Sequence, residues 1–252
     1  MPIALGNATK IIGYVVHTRK EYVCLMELHS KVPESRLYEV VKIFTGKIYQ
    51  RPPLRSSVKR ALRTRDVYYI NILDVKDRWV LMRIGCAPGT YIRKLCHDIG
   101  LILGVEAHMR ELRRTATGPF REDETLITMH ELSEAIYLWK EFDYEDLLRR
   151  AILPAEYLVS HLPKVVIRDT AVDAIAHGAS LAVPGILRLH EGIEKGDLVA
   201  ILTLKGEVVA VAEALMSSNE INEASKGLAF KPVRVVMKPG TYPRSWKRGE
   251  SK

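Results

Sequence analysis

Apolar positions recur along this chain with two periods, and the changes between them predict its elements. In Lys20–Leu28 the alternation is that of a strand, with Tyr22, Cys24 and Met26 on one face and Val23, Leu25 and Glu27 on the other. Further strands are predicted at 67–75 and 79–85, joined by the polar turn Lys76-Asp77-Arg78, and around 108–115. Helical spacing predicts helices over 33–44, with Pro33 in the first turn and Gly46 as the stop, and over 91–103, stopped by Gly104. Two more follow, from Thr128 to about Lys140 and over 144–151. The opening, 1–17, reads as a loop entering a short uncapped helix, with Ala8, Ile11, Ile12 and Val15 at helical spacing. Residues 50–57, Gln-Arg-Pro-Pro-Leu-Arg-Ser-Ser, read as an extended loop, because consecutive prolines exclude regular structure.

From Val165 the texture changes. Short strands at 165–167, 187–189, 198–204, 208–215 and 233–237 are separated by Gly178, Pro184-Gly185, Gly196-Asp197 and Lys205-Gly206-Glu207, with one helix over 170–177. The expectation is an α+β chain. A mixed, largely antiparallel sheet domain over 1–160 precedes a small β-barrel over 161–252, whose basic tail carries Tyr242 and Trp246.

Composition narrows the class. The 252 residues are 47% hydrophobic and 27% charged, and no apolar run approaches the ~18 residues that a membrane helix needs. No signal peptide is visible at Met1-Pro-Ile-Ala-Leu. Three scattered cysteines, Cys24, Cys86 and Cys96, make neither a disulfide framework nor a zinc site, and read as reduced thiols of a cytoplasmic protein. The net charge is +8, and one block concentrates it: Arg51, Arg55, Lys59, Arg60, Arg63 and Arg65 occur with no acid among them. Such clustering points to a polyanion, because like charges repel unless something neutralises them.

Candidate chemistry centres on Gly89-Thr-Tyr-Ile-Arg93 and on Leu112-Arg113-Arg114. A turn throws Tyr91 and Arg93 out where a strand passes into a helix, a place that can hold an anion. Alone, the pentapeptide is equally an ordinary helix start.

Taken in order, the motifs resemble the tRNA T-loop type of pseudouridine synthase, and most closely its archaeal and eukaryotic dyskerin branch. The carriers are Lys20-Glu-Tyr-Val23, residues 50–60 (Gln-Arg-Pro-Pro-Leu-Arg-Ser-Ser-Val-Lys-Arg), Gly89-Thr-Tyr-Ile-Arg93, residues 104–115 and Glu122-Asp-Glu-Thr-Leu-Ile127. In the second half His177-Gly178-Ala179, then Val183-Pro184-Gly185 and Gly196-Asp197, are similar to a PUA domain.

The resemblance implies an enzyme that flips a uridine into a pocket and rejoins its uracil through carbon, with an Asp nucleophile and neither cofactor nor metal. It implies that Tyr22 stacks on the flipped base and that Arg93 pairs with the nucleophile. Tyr91 and Leu112 would line the pocket. Arg113, Arg114 and the block containing Arg51, Arg55, Lys59 and Arg60 would meet phosphates. In the second domain His177, Gly178, Ala179, Pro184 and Gly185 would bind RNA. The implied partners are tRNA, or a box H/ACA guide RNA with rRNA and the accessory proteins of that particle. The family's Gly-Thr-Leu-Asp-type motif is absent, and Met1–Thr9 is similar to the stretch that follows it, so the chain is expected to begin just downstream of the nucleophile. Asp98, on the motif helix, reads as a surface residue and not as a substitute. A non-catalytic RNA-binding protein is the alternative.

Overall fold

The computed structural model describes residues 2–52, 59 and 61–244. Arg55, Arg60 and Trp246 lie outside them. A 3-10 turn (Gly6–Lys10) and the short helix α1 (Gly13–Val16) open the chain in place of the single helix expected. Two compact units follow from the packing: residues 16–126, and Pro2–Val15 together with the residues from Ile127 onward.

The first unit is one antiparallel sheet with two helices. It comprises β1 (Lys20–Leu28), α2 (Glu34–Ile43), β2 (Gly46–Gln50), β3 (Arg63–Lys76), β4 (Trp79–Cys86), α3 (Ile92–Leu103), β5 (Ala107–Thr117) and β6 (Phe120–Arg121). The strand order is β2-β3-β4-β1-β5-β6, with every neighbouring pair antiparallel. The face read from the alternation of β1 is the core face: Cys24 and Met26 are fully buried with Val80, Met82 and Ile84 of β4, Leu37 and Val40 of α2, and Leu95 and Ile99 of α3. Removing such side chains from water is what holds the helices on the sheet, at about 1.5–3 kcal/mol for each large one. Strand β2 was not legible in the pattern, since five residues, Gly-Lys-Ile-Tyr-Gln, show no alternation; pairing with Arg63–Val67 creates it.

Two glycines set distances in this unit. A Cβ on Gly85 would stand 2.3 Å from Cε1 of Tyr69, so the missing side chain makes room for that ring. A Cβ on Gly100 of α3 would stand 2.2 Å from the backbone nitrogen of Ala107, so the helix lies directly on the chain where β5 begins.

The second unit contains α4 (Met129–Phe142), α5 (Asp146–Ala151), a 3-10 helix (Ala155–Val159), β7 (Lys164–Ile167), α6 (Asp169–Ala176), β8 (Leu181–Ala182), a 3-10 turn (Val183–Gly185), β9 (Ile186–Leu189), β10 (Leu198–Leu202), β11 (Val208–Ala214), α7 (Ser218–Glu223) and β12 (Leu228–Val235). Its sheet order is β8-β12-β11-β10-β7-β9, with β10–β7 parallel and the other pairs antiparallel, a nearly closed barrel. Val165, Ile167, Val199, Ile201, Val209 and Phe230 fill it, covered by Val172 and Ile175 of α6. The 3-10 helix at Ala155–Val159 is tied to the barrel: Glu156 Oε1 accepts a hydrogen bond from the Val208 amide at 2.8 Å. The start of α4 is fixed by a capping box, Thr128 with Glu131. The chain is thus α+β: an antiparallel sheet unit and a barrel.

Candidate functional site

The sheet brings Tyr22 and Arg114 together from strands ninety-two positions apart in sequence. They are direct cross-strand neighbours on β1 and β5. Arg114 Nε donates to the Tyr22 hydroxyl at 3.3 Å, and its guanidinium carbon lies 5.3 Å from the ring centroid. Two residues earlier on β1, Lys20 faces Cys86 of β4. Lys20 is nearly buried, donating from Nζ to the carbonyls of Val16 at 2.9 Å and Thr18 at 2.7 Å. Burial, and then the positive charge of Arg114, hold its pKa below the usual lysine value. Burial pushes the Cys86 thiol up to about 11, against an opposing hydrogen bond with Thr90 and the charges of Lys20 and Arg114. Cys86 is therefore a neutral thiol at neutral pH and no nucleophile. Thr90 belongs to the Gly89–Arg93 turn, so this chain of neighbours joins Tyr22 to the motif.

The turn itself is built for close approach. Gly89 has φ +78°, a conformation that favours glycine, and Thr90 Oγ1 donates to the Ala87 carbonyl at 2.8 Å. Tyr91 is the N-cap of α3, half-buried, and its amide is taken by Gln50 Oε1 at 2.9 Å. One helix-start amide expected to be open to an anion is thus filled by a neutral side chain. Arg93 follows on the first turn of α3, exposed, and among the described residues it makes no hydrogen bond or ion pair. Asp98 is bound to Lys94 Nζ at 2.5 Å, four residues back on the helix, and lies 3.3 Å from His97 Nδ1. Leu112 sits opposite Cys24 and is 40% exposed, an apolar side chain on the core face that the core does not cover.

The remaining cations divide. Arg113, next to Arg114 and therefore on the other face of β5, is held by a two-pronged pair with Glu122, one prong at 2.9 Å. The pair lies at the surface, with the Arg113 side chain 72% exposed. Arg51 and Lys59 are exposed. Arg65 lies against the turn, with Nε and Nη2 each 3.2 Å from where a Gly89 Cβ would stand.

In the barrel unit the PUA-like motifs meet around α6. His177 caps the helix, its Nδ1 2.8 Å from the Asp173 carbonyl, and Gly178 at φ +92° turns the chain away into Ala179. Arg168, just before α6, donates from Nε to the Pro184 carbonyl at 3.1 Å, and a Cβ on Gly185 would meet Ala171 of α6 at 3.3 Å. The tail packs back here: Gly240 N donates to the buried Asp173 Oδ1 at 2.9 Å, and Tyr242 donates to Glu207 Oε2 at 2.6 Å. Among the described residues no group of three or more His, Cys, Asp or Glu could hold a metal ion, and no helix is long and apolar enough to cross a membrane.

Residues 1–92 match the TruB family pseudouridylate synthase N-terminal domain, 93–160 the tRNA pseudouridylate synthase B C-terminal domain, and 163–236 the PUA domain. A probable tRNA pseudouridine synthase B of Thermococcus gammatolerans is 56% identical over 246 residues, 98% of this chain and 74% of that protein. The chain belongs to the TruB family of pseudouridylate synthases. A relative of the same description from Methanopyrus kandleri is also 56% identical, with 72% of its length covered. Among solved structures, a Cbf5-Nop10-Gar1 complex matches with TM-score 0.91 at 56% identity, covering 96% of this chain and 74% of that one. An H/ACA RNP bound to a substrate RNA containing 2'-deoxyuridine matches equally, at 53% identity.

Two residues around the Gly89–Arg93 turn carry no motif signal of their own, Lys20 and Gln50. In the sequence Lys20 only precedes the Tyr22 motif, and Gln50 only opens the proline-rich stretch. No local signal marks Gln50, because the strand that it ends is itself defined only by pairing with β3.

Proposed function

We propose that this chain supplies the base pocket and the RNA grip of an RNA pseudouridine synthase of the cytoplasm. In this reading Tyr22 stacks on a flipped uridine, Tyr91 and Leu112 line the pocket, and Arg93 orients the nucleophilic carboxylate. Arg114, with Arg51, Arg55, Lys59 and Arg60 on the proline-rich loop, meets phosphates, and the α6 end of the barrel, with His177, Gly178, Ala179, Pro184 and Gly185, takes a single-stranded RNA end. The observation that carries the reading is the pairing of Tyr22 with Arg114 in the unit whose motif arginine, Arg93, no described residue neutralises. An exposed, unpartnered guanidinium on a helix start is suited to an anionic partner, and a ring over which a planar cation lies is suited to an unstacked base. The RNA is a tRNA, or a box H/ACA guide RNA with its rRNA target and accessory proteins, as in the particles that the matched structures represent.

No Gly-Thr-Leu-Asp sequence occurs in these 252 residues, so turnover is assigned to a state of the protein in which the nucleophilic carboxylate is supplied. The test is tritium release from RNA labelled at uridine C5. In the active assembly, Arg93→Ala abolishes release while RNA affinity stays within about twofold, the signature of an interaction made for the reaction and not for binding. Affinity falling in step with turnover would make Arg93 a phosphate contact. The missing carboxylate motif favours one second reading, a non-catalytic RNA-binding protein. Absence of release from the wild-type assembly, with RNA still bound, would establish it.

A further inference from the structure

Gln50 ends β2, is 3% exposed, and directs its side chain onto one peptide group of the motif turn. Its Oε1 accepts from the Tyr91 amide at 2.9 Å and its Nε2 donates to the Tyr91 carbonyl at 3.2 Å. A side-chain amide is the neutral group that offers an acceptor and a donor in one plane, so the two bonds close a ring on the Tyr91 backbone. Both halves of Tyr91 matter to α3. The residue is its N-cap and has no side-chain cap, and its carbonyl also receives the first intrahelical bond, from Leu95 at 3.0 Å. The clamp therefore fixes the residue from which the pocket tyrosine and, two positions on, Arg93 both project. The same strand pair braces the turn a second time, where Arg65 of β3 packs on Gly89.

We infer that Gln50 is a positioning residue for the uridine pocket: the β2 end holds Tyr91 and Arg93 in register with Tyr22, and it does so next to Arg51, where the proline-rich loop begins. This rests on the pseudouridine synthase reading and adds to it a residue that touches neither base nor phosphate. A clamp made by a buried neutral amide also explains why no acid stands here. A carboxylate would keep the bond from the Tyr91 amide but set a charge against the Tyr91 carbonyl.

The test uses Gln50→Leu and Gln50→Glu. In the 252-residue chain, amide hydrogen exchange at Tyr91 should speed up in Gln50→Leu, while exchange across the core strands β1 and β4 stays unchanged. In the assembly that isomerises uridine, turnover of Gln50→Leu should fall between about 10- and 100-fold, the scale of a misplacement near 1 Å, with RNA affinity within about twofold. Gln50→Glu regains a donor on protonation, so its turnover relative to wild type should climb as the pH is lowered from about 8 towards 6; a glutamate starts near 4.3 and burial raises it. Unchanged Tyr91 exchange in Gln50→Leu would overturn the clamp. Faster exchange with turnover intact, affinity falling in step with turnover, or a pH-independent Gln50→Glu ratio would overturn the positioning role. If the wild-type assembly isomerises no uridine, the functional reading has failed, and the exchange result still decides the clamp.

Discussion

The guanidinium of Arg114 and the ring of Tyr22 form a single unit, a hydrogen bond at 3.3 Å combined with a cation 5.3 Å from the ring centre. Neither residue sits on a loop. Tyr22 projects from β1, a strand flanked on both sides and carrying the buried Cys24 and Met26, and Arg114 reaches it from the more exposed β5; an aromatic ring held by a sheet is a surface on which an extruded base can stack.

Replacing the ring should therefore cost more than replacing its hydroxyl. Tyr22→Ala is expected to weaken binding of a short RNA carrying an unpaired uridine by about 5- to 150-fold, the worth of one base–aromatic stack. Tyr22→Phe keeps the platform and the cation over it, and should bind within about threefold of wild type, because a long neutral-acceptor bond contributes only about 1 kcal/mol. Fluorescence titration at fixed salt separates the two. Equal losses from both substitutions would assign the hydroxyl, not the ring, to the contact.

The cations should separate in the same way. Each phosphate contact adds roughly 0.7–0.9 to the slope of log affinity against log salt. Arg51→Ala removes an exposed cation without a described partner and is expected to lower the slope by about that amount. Arg113→Ala removes one already matched by Glu122, and should leave the slope unchanged. Titration across a series of salt concentrations distinguishes them.

A third expectation concerns acid. Glu27, buried at the far end of β1, receives a hydrogen bond from Arg110 and lies 3.3 Å from Arg78 and 3.7 Å from His108. The Arg110 bond, with those charges, holds its carboxyl below the ordinary range although burial opposes it. A depressed folded-state pKa stabilises the fold above the unfolded value, near 4.3, and that contribution is lost as the pH falls through it towards the folded value. The urea midpoint of the wild-type chain should thus drop between roughly pH 5.5 and 3, and Glu27→Gln, less stable at pH 7, should show a flatter acid limb. Parallel limbs would remove Glu27 from the acid response.

What could be read from the sequence depended on the range of the interaction. The alternation of β1 and the stop of α3 at Gly104 are local: Cys24 and Met26 are on the buried face that the pattern gave, and Gly104 is the C-cap of α3. Tyr22 and Arg93 were legible as motif members. Their surroundings were not, because cross-strand neighbours such as Arg114, and partners such as Gln50 or Glu122, are chosen by register, which no local pattern encodes. The pairing of Arg113 with Glu122 illustrates this. Two adjacent arginines look alike in sequence, yet the pleat sends them to opposite faces and to different chemistry. Strands β2 and β8 were not legible for a related reason, since short strands borrow their conformation from a neighbour, and β12 was expected only over its last residues.

Gly100 gives the motif helix a fulcrum. With the helix resting on the Ala107 backbone at a separation that admits no methyl group, any larger residue there must tilt α3 about its far end and swing Tyr91 and Arg93 two to three turns away. If the proposed function holds, a position on the far side of the helix calibrates the geometry of the pocket, and a family member with alanine at this site should carry its compensation in the first residues of β5, the place to look when homologous chains are compared.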